Sequence, residues 1–220
     1  MSLLKIRILV LISLFMFSFV MNGICLDNNS DLINNLKLIE DKMSDINTLA
    51  TQFIQEKNLA LFNQKIEITG FLYLQKPSSF AWHINTPLEQ RIILKSNNVV
   101  QWDEDTNQVQ KINLSSNPTF NIVMDQMKRW ISGAYLSLVD EYIVEFKKSE
   151  FMELKFFPKD GTMAYKLIKN INIVFQEDEK YIESITINER NGDSTSFIFF
   201  ETQINIVLDP IVWEVNPRDK

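Results

Sequence analysis

Cysteine is almost missing from this 220-residue chain: Cys25 is its only one. A disulfide within the chain is thereby excluded, and the fold must rest on its apolar core. Histidine is equally scarce, with His83 alone, so zinc sites of ordinary composition and Cys/His catalysis are excluded as well. There are only 5 glycines and 6 prolines, and they form neither a phosphate-cradling loop nor a dinucleotide fingerprint. No repeat of fixed period is present. Positive charge is in deficit, 22 basic against 28 acidic residues, which makes nucleic acid and anionic membrane surfaces poor partners. What remains is 45% apolar and 23% charged, the composition of one sizeable globular domain.

Lys5 and Arg7 precede an apolar run from Ile8 to Met21. As a helix that run is roughly 20 Å long, short of a hydrocarbon core of about 30 Å. Its basic end comes first, so residues 1–25 read as a secretory signal peptide. Gly23 and Cys25 are the small residues before a cleavage ahead of Leu26, which makes 26–220 the mature domain. Removing Lys5 and Arg7 leaves 20 basic against 28 acidic residues, a net charge of −8. The alternative makes Cys25 the lipidated first residue of a bacterial lipoprotein, but Asn22, Gly23 and Ile24 suit that recognition badly.

Leu32, Ile33, Leu36, Ile39 and Met43 recur at three- and four-residue steps, predicting an amphipathic helix over 30–44 with Ser30 or Asp31 as cap. A strand over 49–56 follows. The stretch from Gln64 to Trp102 reads as four consecutive strands with Pro or Asn at their connections. Ile66, Ile68, Gly70, Leu72 and Leu74 mark one face, yet Phe71 and Tyr73 load the other, an excess of apolar groups for a sheet buried on one side. A second helical region begins near Asn117-Pro118, with Phe120, Val123, Met124, Met127, Trp130 and Ile131 on one side; it ends at Gly133, and 134–139 continue as helix. From Tyr142 to Val207 nearly everything alternates as strand, with Asn191-Gly192 the clearest hairpin signal. Short loops favour an antiparallel meander. So large a sheet with so few helices must curl on itself, predicting a mainly β (α+β) fold: an incomplete antiparallel barrel of about ten to eleven strands under an α-helical lid that encloses a hydrophobic cavity.

Thr51-Gln52-Phe53-Ile54-Gln55, Gly70-Phe71-Leu72-Tyr73, Lys76-Pro77, Phe80, Trp82, Pro87, Ser96-Asn97-Asn98, Trp102 and Gln108-Val109 fall in an order that resembles the outer-membrane lipoprotein carrier (LolA) family, with looser similarity at Phe157-Pro158-Lys159 and from Trp213 to Pro217. The resemblance implies a periplasmic, monomeric carrier without cofactor. It takes acyl chains of lipoproteins from an inner-membrane lipoprotein-releasing transporter and passes them to an outer-membrane acceptor. It also implies that Lys76 and Pro77 lie where the family fastens its lid and controls cargo, with Lys76 replacing the usual Arg and Asn97-Asn98 the usual Asp-Gly. Lysine brings a charge and three donors but no planar fork.

Under this topology Leu72, Leu74, Phe80, Trp82, Ile92, Leu94, Val100 and Trp102, with Met124, Met127 and Trp130 from the helix, line the concave surface; each taken singly is an ordinary core residue. Methionine suits a wall that must fit chains of varying pose. His83 reads as a structural or solvent-facing side chain, and Asp103, Glu104 and Asp105 as solvated turn charge. No catalytic set emerges, so an enzyme is not expected. Other readings are a carrier of another lipid or glycolipid, and a lipid-binding acceptor or regulatory module.

Overall fold

Strand-forming sequence dominates, and its hydrogen bonds close into one sheet. The computed structural model describes residues 27–95, 98–113 and 126–215. The expected signal peptide, Cys25, the Ser96-Asn97 turn, and the start of the second helix with Phe120, Val123 and Met124 lie outside the described residues.

Helix α1 (Asp27–Ser44) comes first, followed by β1 (Thr48–Leu59), β2 (Gln64–Gln75), β3 (Ser79–Thr86), β4 (Gln90–Lys95), β5 (Asn98–Asp103) and β6 (Gln108–Asn113). Helix α2 is described over 126–132. Then come a 3-10 turn (Tyr135–Leu138), β7 (Tyr142–Lys148), β8 (Met152–Pro158), helix α3 (Met163–Leu167), β9 (Ile168–Phe175), β10 (Ile182–Glu189), β11 (Ser194–Ile204) and a final 3-10 turn (Pro210–Trp213). All 11 strands form a single sheet in the order β6-β5-β4-β3-β2-β1-β11-β10-β9-β8-β7, every pair antiparallel. The chain lays down one half outward from β1, crosses over, and meanders back from β7 to β11. β6 and β7 are the ends of this sheet, so it is an open, incomplete barrel, as the sequence predicts.

Alternation sets the inner face. Leu49, Thr51 and Phe53 of β1 sit beside Leu74, Leu72 and Gly70 of β2, which in turn face Phe80, Trp82 and Ile84 of β3. Across the other half, Phe197, Ile185, Ile173 and Leu154 lie in register on β11, β10, β9 and β8. The apolar side chains among them form one cluster with Leu36, Ile39 and Met43 of α1 and Met127, Trp130 and Ile131 of α2, Trp82 and Ile84 packing against it partly buried. Two elements differ from expectation. Gly133, at φ 82, ends α2, and 135–138 wind as a separate 3-10 turn instead of continuing the helix. Residues 163–167, within the stretch expected to be nearly all strand, form the short α3, whose cap Thr162 accepts from the Tyr165 amide at 3.2 Å.

At Gly70 the backbone of β3 runs close against β2. A Cβ there would lie 1.9 Å from the His83 carbonyl oxygen, beside a register shift between Thr69 and Gly70. Only glycine fits so near a neighbouring backbone.

Candidate functional site

Polar groups in this structure mark how the lid is fastened, and apolar ones mark what it covers. The last carbonyls of a helix have no intrahelical donor and need one from elsewhere. For α1 that donor is Lys76, whose Nζ donates to the carbonyls of Met43 and Ser44, both at 3.0 Å, while its backbone N–H donates to Asn47 O at 2.9 Å. A cation at a helix C-terminus is also favoured by the helix dipole. Partial burial lowers the Lys76 pKa, and Asp45 nearby opposes that shift. Pro77 follows through a cis peptide bond.

Further contacts tie the lid. Glu179, in the β9–β10 turn, pairs with Lys42 in the last turn of α1 and with Lys148 of β7, the latter at 2.6 Å. Those two lysines hold its carboxyl below the usual range. Glu40 of α1 accepts the Leu136 amide at 2.8 Å, joining α1 to the 3-10 turn. Buried Tyr135 donates its hydroxyl to Trp130 O at 2.8 Å, and burial raises its pKa well above the ordinary value. The end of α2 rests on α1: a Cβ at Gly133 would meet Met43 Sδ at 2.8 Å.

Beneath this lid the described inner-face residues pack together. Leu72, Leu74, Phe80 and Leu94 are buried in the cluster, together with Met127 and Trp130 from α2; Trp82 and Ile92 pack against it partly buried. The structure therefore brings together eight of the expected wall residues. Val100 and Trp102 are a correction. Leu94 pairs with Val99 and Ile92 with Gln101, so the inner positions of β5 are Val99 and Gln101, and Val100 and Trp102 point to the opposite face. Met124 lies outside the described residues. Among the described residues, a cavity of about 20 Å³ lies between Met43, Leu49, Leu72, Ile131, Ile182 and Phe199. That is room for about one water, far too little for an acyl chain.

The outer face explains the excess of apolar residues on the central strands. His83 is 5% exposed, and its Nε2 donates to Val212 O at 2.9 Å in the closing 3-10 turn. Residues 206–209 and Val212 border a groove of about 310 Å³ with Phe71 and Tyr73, and Lys95 Nζ sits 5.6 Å from the Trp213 ring centre. Buried Trp102 donates to Asn107 Oδ1 at 3.2 Å. The C-terminal segment thus covers outer-face residues of β2 and β3, a cover the sequence alone does not disclose. His83 is structural: burial first, then the Arg91 charge, lower its pKa to about 4 against the Val212 bond. Asp103 lies at the end of β5, where its Oδ1 accepts from Gln90 and Gln101 amides.

The sequence model of the family described as "Outer membrane lipoprotein carrier protein LolA" matches residues 44–215. An outer-membrane lipoprotein carrier protein of Chromohalobacter salexigens is 22% identical over 143 residues, 65% of this chain and 64% of that protein. The one from Pseudomonas fluorescens is 38% identical over 61 residues, 28% of this chain and 30% of that protein. The aligned stretches thus span less than two thirds of either relative. Among solved structures, an uncharacterized conserved protein from Thermus thermophilus superposes with a TM-score of 0.54 at 9% identity, covering 86% of this chain and 96% of that one. MucB superposes with a TM-score of 0.50 at 11% identity, covering 87% and 64%. At such identities the two structures attest the fold and nothing finer.

Proposed function

The chain belongs to the outer membrane lipoprotein carrier protein LolA family, and on that premise we propose that it is a periplasmic carrier of lipoprotein acyl chains. In this reading 1–25 direct export and 26–220 form the carrier domain. The chains lodge between the helical lid and the inner face of the sheet, against Leu72, Leu74, Phe80, Trp82, Ile92, Leu94, Met127 and Trp130, with Val99 in the place expected of Val100. Lys76 and Pro77 hold the end of α1 that must move. An inner-membrane transporter supplies the cargo and an outer-membrane acceptor removes it.

One observation carries this reading: the lid helices and the inner face share a single apolar cluster, while polar contacts through Lys76, Glu179 and Glu40 fasten α1. Acyl chains gain about 0.8 kcal/mol per buried methylene, so a permanently open cavity would hold several long chains too tightly to release them. A packed interior supplies the counterweight. Cargo enters only as α1 and α2 leave, and their apolar faces reclaim the sheet when cargo departs. Net affinity is then a difference between two burials, and no covalent chemistry is needed.

The test adds purified protein to spheroplasts carrying a tagged lipoprotein. Release of the lipoprotein into the medium is the expected result; retention in the membrane removes lipoproteins as cargo. The exchange of the family's Arg for Lys76 favours a second reading, a related carrier of another lipid or glycolipid, which mass spectrometry of co-purified lipids would reveal.

A further inference from the structure

Buried polar atoms in folded proteins almost always have a partner, and a buried indole N–H usually finds one too. This chain follows the rule at several places around its interior. Thr51 Oγ1 shares a hydrogen bond with Thr202 Oγ1 at 2.7 Å, Gln126 Nε2 donates to Glu141 at 3.2 Å, and on the outer face the Trp102 indole reaches Asn107. Two indoles of the shared apolar cluster break it. The Nε1 atoms of Trp82 and Trp130 are buried without an acceptor among the described residues.

Their positions are complementary. Trp82 stands on the inner face of β3, between Leu72 of β2 and Ile92 of β4, with Phe53, Phe197 and Phe80 edge-on at 5.2, 5.4 and 6.1 Å. Trp130, 3% exposed, belongs to α2, and its backbone is pinned where the Tyr135 hydroxyl meets its carbonyl. One donor comes from the wall and the other from the lid. Phenylalanine would give either position a large aromatic ring without stranding a donor, so packing alone does not account for tryptophan at both.

We propose that Trp82 and Trp130 donate their indole N–H groups to carbonyl oxygens of the cargo, so that the site recognises ester- or amide-linked acyl groups and discriminates against plain alkyl chains. This rests on the carrier reading and deepens it. Neither donor has a partner among the described residues of the closed form, and both acquire one when an acylated head slides under the lid. Binding of a carbonyl is thereby favoured over closure on an empty interior. An acyl carbonyl held by Trp130 also links cargo to the position of α2.

The test compares two glycerophospholipids of equal chain length, one diester-linked and one diether-linked, as competitors for a bound pyrene-labelled fatty acid. The unmodified protein is expected to bind the diester about tenfold more tightly. Trp82→Phe and Trp130→Phe should each reduce that ratio severalfold, the diester losing more affinity than the diether. Equal affinities in the unmodified protein overturn the proposal, whether or not the variants fold. A ratio that survives both substitutions also overturns it. Failure of both lipids to displace the probe contradicts the carrier reading itself, and the inference falls with it.

Discussion

At the scale of single residues, three positions carry more than their share. Gly70 is fixed by the His83 carbonyl at 1.9 Å from any Cβ. Gly70→Ala should destabilise the domain by about 2–3 kcal/mol, read as a lower urea midpoint, because the clash is with backbone that cannot swing aside. His83 is neutral when folded, with a pKa of about 4, against 6.5 for the free side chain. Between those two values the unfolded chain binds more protons. Its contribution is therefore fully present above pH 6.5 and is lost as pH falls toward 4, roughly 3 kcal/mol in all. Urea titrations of the unmodified protein should show that slope, and His83→Gln should flatten it. Lys76 is the third. Lys76→Arg brings a planar fork to the Met43 and Ser44 carbonyls and should slow hydrogen exchange in the last turn of α1 severalfold, whereas Lys76→Ala should speed it.

At the scale of elements, the sequence discloses the antiparallel strands and the amphipathic helices but neither the pairing of β1 with β11 nor the phase of every strand. β2 is readable because Ile68, Gly70, Leu72 and Leu74 alternate cleanly against Glu67 and Thr69. In β5 two adjacent valines leave the phase open, and only pairing with Leu94 and Ile92 places Val99 inside and Trp102 outside. Trp102 misleads because the outer face is also buried. Its apolar load serves the closing segment, whose attachment through His83 and Val212 joins residues 129 apart and leaves no periodic trace. The lid ties are equally hidden: Glu179 meets Lys42 across 137 residues of chain. The lysine end of that tie is largely exposed, so its removal should be felt weakly. Glu179→Gln should raise exchange in the last turn of α1 only a few-fold, and about 0.5 M salt should do the same to the unmodified protein. Because Lys148 and Lys42 lower the Glu179 pKa, its contribution is present above the ordinary carboxylate value and is lost as pH falls through the lowered one.

At the scale of the whole molecule, an 11-stranded sheet is left open, ending at β6 and β7, and α1 and α2 share the apolar cluster of its inner face. Its two faces do different work: the inner one is shared with the lid, and the outer one holds the closing segment of the chain. The central claim is that acyl chains enter between lid and inner face. Quenching by a lipoprotein or phospholipid whose acyl chains carry bromine tests it most directly. In a protein that keeps Trp82 and Trp130 but has Trp102→Phe and Trp213→Phe, bound brominated chains should extinguish most of the fluorescence. In the converse protein, with Trp82→Phe and Trp130→Phe, they should leave it nearly unchanged. Equal quenching of the two, or quenching confined to Trp102 and Trp213, would place the chains elsewhere and contradict the account.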